Sequence, residues 1–122
     1  INNQQISSPK IKGNLLKEIK NILSFGIDTL IVKKGAKGVE IYNSSGQSHK
    51  VDGFPIEVLN VLGAGDAFAS GFIYGYLKGW DLKKSCKMGN ACGALVVLQP
   101  GCANFMPTLN EALEFINKHG GF

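Results

Sequence analysis

Four residues, Gly63, Ala64, Gly65 and Asp66, stand directly ahead of a stretch in which small and aromatic side chains recur with a helical period. A helix is predicted over residues 65–78, and one of its faces is expected to lie in the core: Phe68, Gly71, Phe72, Gly75 and Tyr76. A second helix, predicted over residues 82–98, carries another face of small residues. Because glycine lacks a Cβ, a neighbouring backbone can approach such faces closely.

The turn at residues 63–66 has a distinct chemistry. Small residues leave backbone N–H groups uncovered, and the first turn of a helix adds N–H groups without intrahelical partners and the positive end of the dipole. These features predict a site for anionic oxygens. The carboxylate of Asp66 would repel an anion, so its presence beside such a site is unexpected. It is explained if the carboxylate accepts a proton from a hydroxyl that attacks phosphorus. On this spacing alone a plainer alternative stays open, in which Asp66 caps the helix and the glycines make a tight turn.

The remaining periodicities predict an α/β chain with short connections and a mostly parallel central sheet. A helix is predicted over residues 13–25, and strands over residues 29–32, 39–42, 47–51 and 56–61, of which the second and third form a hairpin. Asp81 is the expected N-cap of the helix that follows it, and Thr108 with Glu111 has the pattern of a capping box. The first helix is expected to bury one stripe: Leu15, Leu16, Ile19, Ile22 and Leu23.

Composition narrows the class of protein. The 122 residues are 44% hydrophobic and 18% charged, values typical of one globular domain. The net charge is +4, but the lysines are spread and arginine is absent, which disfavours nucleic-acid binding and suits an anionic small molecule. Three cysteines without C-x-x-C spacing indicate a reducing, cytoplasmic location. No apolar run approaches the length of a membrane span, so a membrane partner is not expected.

Residues 60–73, N-V-L-G-A-G-D-A-F-A-S-G-F-I, match position for position the C-terminal signature of the ribokinase-like (PfkB) family of carbohydrate kinases. The run I-V-K-K-G-A-K-G at residues 31–38 resembles the family's element beside the nucleotide phosphates. N-A-C-G-A at residues 90–94 resembles the segment that flanks the adenine, and residues 99–108 resemble the loop beyond it. The four matches occur in family order. The resemblance implies a ribokinase-like three-layer α/β/α fold, with residues 1–122 as a single domain, the C-terminal nucleotide-binding portion of a longer kinase.

The resemblance also assigns roles to individual residues. Asp66 matches the catalytic base that deprotonates the sugar hydroxyl, and Gly63 with the backbone of Ala64 and Gly65 matches the anion hole for the γ-phosphoryl. ATP and Mg²⁺ are the implied cofactors, and among the lysines Lys37 is the one expected to face the nucleotide. The residues matched to the nucleotide site are Lys33, Gly35, Lys37 and Gly38 beside the triphosphate and Asn90 near the base.

A monovalent-cation loop of the family maps onto backbone carbonyls near the end of the second predicted helix. Many members of the family read D-T-T-G-A-G-D, whereas this chain reads N-V-L-G-A-G-D. Because the aspartate is missing, dependence on K⁺ stays open. The matched positions are Asn60, Leu62, Val96, Gln99 and Gly101.

The activity implied by the resemblance is ATP-dependent phosphorylation of a sugar or sugar-acid hydroxyl. Within the family, N-A-C-G-A and the G-C-A-N-F-M-P-T run look most like the 5-dehydro-2-deoxygluconokinases of inositol catabolism. Kinases for 2-keto-3-deoxygluconate, fructose, ribose or a nucleoside are alternatives. A competing hypothesis is a non-catalytic nucleotide-binding fragment, because the family grips its sugar mostly with residues of the N-terminal half. Such a fragment is expected to be inactive alone, and exposed strand edges would favour a homodimer.

Overall fold

The structure is a computed structural model, and it describes residues 13–101 and 103–122. One helix and three strands make up the first half, and three helices follow in the second half. The elements are α1 (Leu15–Leu23), β1 (Thr29–Lys33), β2 (Val39–Asn43), β3 (Ser48–Val51), α2 (Ala64–Leu77), α3 (Leu82–Val97) and α4 (Leu109–Lys118).

The sheet of the described residues has the order β1-β2-β3, and both pairings are antiparallel. Ile41 in the central strand faces Ile31 on one side and His49 on the other. The predicted hairpin of β2 and β3 is therefore confirmed, but the expectation of a mostly parallel sheet is wrong for this part of the chain. The reason is the length of the connections, since a short turn can only reverse the chain and a parallel pair needs a crossover of roughly a dozen residues or more.

The strand predicted over residues 56–61 is also absent. This segment pairs instead with the end of α3, where the carbonyl of Val97 accepts from the N–H groups of Leu59 and Asn60 at 2.8 and 3.1 Å. An alternating pattern forms a strand only beside a partner ladder, and none of the described strands lies next to this segment. The segment becomes part of a cavity wall.

The side chains of the sheet alternate between two helical layers, as the period of two in a strand requires. On one face Leu30, Val32 and Tyr42 cover Ile19 and Leu23 of α1. The opposite face packs against α2 and α3. That second cluster contains Ile31, Val39, Ile41, Val51, Phe68, Phe72, Leu82 and Cys86. The predicted three-layer α/β/α arrangement is thus confirmed.

Helices α2 and α3 meet through their glycines. A Cβ on Gly71 would lie 2.8 Å from the carbonyl oxygen of Met88, and a Cβ on Gly89 would lie 2.8 Å from that of Phe68. Such distances are too short for any real side chain, so the small-residue faces are required by backbone contact. Helix α3 begins where expected, because the Asp81 carboxylate accepts from the N–H of Lys84 at 2.9 Å.

Two expectations about apolar faces are wrong. In α1 only Ile19 and Leu23 are buried, while Leu15 and Leu16 are 52% and 62% exposed. Tyr76, expected in the core, is 61% exposed on α2. The described sheet is narrow, so it covers less than the full apolar stripe of either helix.

The capping box is confirmed. Thr108 accepts from the N–H of Glu111, and the carboxylate of Glu111 accepts from the N–H of Thr108.

Within residues 13–101 and 103–122, no helix combines the length and the apolar character that crossing a membrane requires.

Candidate active site

Helix α2 begins with an open first turn. Gly63 precedes it with φ at 81°, a left-handed conformation that suits glycine, and as N-cap it offers no side chain to the helix. The N–H groups of Gly65 and Asp66 have no backbone acceptor among the described residues. The turn therefore presents uncovered donors at the positive end of the helix.

Asp66 lies in this first turn and is exposed. Because Gly63 is the N-cap, the alternative in which Asp66 caps the helix is wrong. Its carboxylate forms no hydrogen bond or ion pair with any described residue. The carboxylate oxygens are therefore left without a partner in the described part of the chain.

A lysine from the end of β1 reaches the same turn. The Nζ of Lys33 lies 2.8 Å from the point where a Cβ would stand on Gly65. Two positive features, the ammonium group and the helix start, therefore converge, and Lys33 forms no ion pair with a described acidic side chain. This arrangement favours an anion between them.

The other two lysines of the turn face elsewhere. The ammonium group of Lys34 pairs with the carboxylate of Glu40 at 2.6 Å. This bond, together with one from the Tyr42 hydroxyl, holds the pKa of Glu40 below its usual value. Lys37 lines a neighbouring depression with Lys50, whereas Lys33 lines the cavity at the start of α2, and the expectation that Lys37 faces the nucleotide stays a prediction.

Lys33 and the start of α2 open into a cavity of about 260 Å³. Its wall joins the turn after β1, the segment before α2, and α3. Apart from Lys33 and Asn90, the described lining consists of Gly35, Ala36, Gly38, Val39, Gly53, Phe54, Ile56, Val58, Val61, Ala64, Gly65, Phe68, Gly89, Gly93, Ala94 and Val97. The structure thus brings together the predicted residues Lys33, Gly35, Gly38, Ala64, Gly65 and Asn90.

One wall of the cavity is a close crossing of two backbone segments. A Cβ on Gly38 would collide with the carbonyl oxygen of Val51 and the nitrogen of Gly53. A Cβ on Gly53 would in turn collide with the carbonyl oxygen of Ala36. The glycines in K-G-A-K-G therefore let the turn after β1 lie directly against the chain that leaves β3.

Two of the residues matched to a monovalent-cation loop, Asn60 and Val96, lie at the end of α3. Asn60 lies beside the end of α3 through its bond to Val97. The carbonyl of Val96, however, already accepts from the N–H groups of Leu98 and Gln99, which occupies both of its lone pairs. Among the residues that the structure describes, no group of three His, Cys, Asp or Glu side chains could hold a metal ion. A potassium site at these carbonyls stays a prediction.

Most of the chain matches one known protein family. Residues 4–109 match the family model described as pfkB family carbohydrate kinase. The chain belongs to the pfkB family of carbohydrate kinases. Among curated relatives, a 5-dehydro-2-deoxygluconokinase of Clostridium botulinum (strain Alaska E43 / Type E3) is 39% identical over 99 residues, which cover 81% of this chain and 29% of the relative. The matched part of the chain thus spans under a third of the length of such relatives.

Solved structures of pfkB-type kinases confirm the ribokinase-like fold. A protein described as ribokinase II of E. coli, in complex with ATP and Mg²⁺, has a TM-score of 0.81 at 31% identity, over 92% of this chain and 35% of that chain. A double mutant of fructokinase from Vibrio cholerae O395, bound to fructose, ADP and a potassium ion, has a TM-score of 0.78 at 26% identity, over 85% and 35%.

Sequence reasoning missed two parts of this pfkB-family site. The first is that Lys33, already among the predicted residues, is the lysine that reaches the start of α2. The signal was available, because residues two apart in a strand share a face and Ile31 belongs to the α2 side of the sheet. The second is the apolar wall formed by Phe54, Ile56 and Val58, which the strand predicted over residues 56–61 concealed.

Proposed function

We propose that this chain is the C-terminal, nucleotide-binding portion of a longer kinase that phosphorylates 5-dehydro-2-deoxygluconate with ATP. The observation that carries the proposal is the meeting of three groups at the start of α2. These are the ammonium group of Lys33, the uncovered N–H groups of the first turn and the exposed carboxylate of Asp66. Separate positive and proton-accepting groups within one helical turn suit phosphoryl transfer to a hydroxyl.

The nucleotide would occupy the cavity. Its polar end, at Lys33 and Gly65, fits phosphate oxygens, because an ammonium point charge and helix N–H groups are both common phosphate ligands. Its apolar remainder, with Phe54 and Phe68 in the wall, fits a nucleobase. Mg²⁺ would arrive with the nucleotide and neutralise charge on the phosphates, since this ion is usually held through phosphates and few protein groups.

Asp66 would act on the acceptor hydroxyl. It follows Gly65 directly but does not line the cavity, so a sugar on the outer side of the helix start would contact the carboxylate without entering the nucleotide space. There the carboxylate accepts the hydroxyl proton, while the N–H groups of residues 65 and 66 and the ammonium group of Lys33 stabilise negative charge on the transferring group.

The sugar acid is proposed from the relatives. Curated proteins that are 37–39% identical to this chain bear the name 5-dehydro-2-deoxygluconokinase. Sugar-binding residues outside the matched portion would complete the site. This proposal therefore concerns the whole enzyme, and the chain alone is expected to bind nucleotide without turnover.

The test is the Asp66→Asn variant of the complete protein, assayed for phosphorylation of 5-dehydro-2-deoxygluconate. We expect kcat to fall by roughly 10² to 10⁴, the range for removal of a positioned base, with ADP affinity little changed. Asp81→Asn is the matched control, because Asp81 begins another helix and asparagine caps as well as aspartate. Wild-type kcat in Asp66→Asn would exclude the base, and a wild-type enzyme that phosphorylates only another sugar would exclude the substrate.

A further inference from the structure

Two identical side chains stand at the end of strand β1, and they point to opposite sides of the sheet. Lys33 reaches the start of α2, whereas the ammonium group of Lys34 lies beside Glu40. Adjacent residues of a strand point to opposite faces, so a rotation of the backbone between the two lysines, or a register slip by one residue, would exchange their directions. The position of Lys33 therefore depends on what holds Lys34.

Lys34 is held by both its side chain and its backbone. Its Nζ lies 2.6 Å from the Oε2 of Glu40, and the hydroxyl of Tyr42 donates to the same oxygen at 2.5 Å. The N–H of Lys34 donates to the carbonyl oxygen of Gly38 at 2.8 Å, which closes the turn after β1. Because Tyr42 is buried in the cluster against α1, the carboxylate that receives Lys34 is itself anchored.

Glu40 lies on the side of the sheet that faces away from the cavity. It faces Val32 in the register of β1 and β2, and Val32 belongs to the α1 side. Val39 and Ile41, its neighbours in β2, are buried on the α2 side. Glu40 is absent from the described lining of the cavity. Apart from its long-range charge, any effect of Glu40 on phosphate binding must therefore be transmitted through Lys34.

We infer that Glu40 is a positioning residue, which holds Lys34 on the α1 side of the sheet and thereby keeps the ammonium group of Lys33 at the start of α2. Phosphates at this point attract both ammonium groups. Because the two lysines are adjacent, Lys34 approaches the phosphates only by a rotation of the backbone that withdraws Lys33. The pair with Glu40 opposes that rotation. The inference rests on the proposed function, since it assumes that phosphates bind beside Lys33.

The sign of one measurement separates this role from that of an ordinary surface carboxylate. A negative charge near an anion site weakens anion binding, so its removal alone should tighten the binding of inorganic tripolyphosphate. The inference predicts the reverse for Glu40→Gln of the complete protein. In a calorimetric titration the affinity should fall by about three- to tenfold, because part of one charge-assisted contact is lost. Glu114→Gln is the matched control, since Glu114 is exposed on α4 and outside the cavity lining, and this variant should bind no more weakly than the wild type.

Two further readouts show whether the effect passes through Lys33. Lys33→Met should itself weaken tripolyphosphate binding, and adding Glu40→Gln to it should cause no further loss. In the phosphorylation assay, Glu40→Gln should raise the KM for ATP by about the same three- to tenfold and leave the KM for the sugar acid at its wild-type value. General loosening of the fold would not produce that split.

The possible failures are distinguishable. An affinity of Glu40→Gln equal to or above that of Glu114→Gln would overturn the inference and leave the proposed function standing. An equal loss in the presence and absence of Lys33 would also overturn the inference. A wild-type protein that binds neither tripolyphosphate nor ADP would overturn the proposed function itself. If Glu40→Gln does not fold, as judged by thermal unfolding, Lys34→Met replaces it. An affinity equal to that of Lys83→Met, which removes an exposed lysine of α3, would then decide against the inference.

Discussion

Replacing Gly38 with alanine should destabilise the fold far more than the same change at Gly35, which lies in the same turn. Gly38 has φ 86° and ψ −134°, a region that side chains avoid, and its added Cβ would collide with backbone atoms of residues 51–53. Gly35 has φ 58°, and a Cβ there would meet nothing within 4 Å. The two variants therefore separate backbone conformation from backbone collision.

The magnitudes follow from these geometries. A left-handed alanine at position 35 should cost roughly 1–2 kcal/mol of unfolding free energy. At position 38 the strained conformation should cost about 1–3 kcal/mol, and displacement of the crossing backbone about 1–3 kcal/mol more. We expect Gly38→Ala to be less stable than Gly35→Ala by about 2 kcal/mol.

Urea unfolding of the purified chain, followed by the fluorescence of its one tryptophan, Trp80, measures this difference. With a denaturant slope of about 2 kcal/mol per molar, the midpoint of Gly38→Ala should lie about 1 M below that of Gly35→Ala. Equal midpoints would refute the close crossing of the two segments, because the conformational costs at the two positions differ by less than the collision is expected to cost.

Three further predictions concern helix α3. Burial raises the pKa of the Cys86 and Cys92 thiols to about 11. In a Cys102→Ser background both should react slowly with iodoacetamide at pH 8 until urea unfolds the chain, and fast native labelling would contradict their burial. Because these pKa values are raised on folding, their contribution to stability is complete below pH 9 and should be lost between about pH 9 and 11. Asp81→Ala should cost about 1 kcal/mol by loss of the N-cap, whereas Asp81→Asn should cost almost nothing; equal losses would argue against the cap.

Local signals in the sequence predicted the local structure well. The helices, the hairpin, the N-cap of α3 and the capping box of α4 depend on neighbouring residues, and the structure contains all of them. Strand direction depended on connection length, and the short turns between β1, β2 and β3 already ruled out parallel pairing in this sheet. The segment of residues 56–61 shows the opposite case, because its alternation could not reveal that α3 would be its neighbour.

The sequence predicted which residues form the candidate site, but it did not predict where their side chains point. G-A-G-D marked the start of α2, and six of the predicted residues line one cavity. Which lysine reaches the start of α2 depended on the face of a strand, and the orientation of Asn90 required backbone from the end of β3 and the residue after it, 38 or more residues away. Such contacts join parts of the chain that no local pattern connects.

The central claim is that a nucleotide binds with its phosphates at the start of α2, and the most direct test is a calorimetric titration with ADP and magnesium. The complete protein, its Gly65→Val variant and its Ala69→Val variant would be compared. Valine at position 65 fills the space beside the Lys33 ammonium group, whereas Ala69 is exposed one turn further along and outside the cavity lining. We expect Gly65→Val to lose at least tenfold in affinity and Ala69→Val to bind as the wild type does. Undiminished ADP binding by Gly65→Val would contradict the claim.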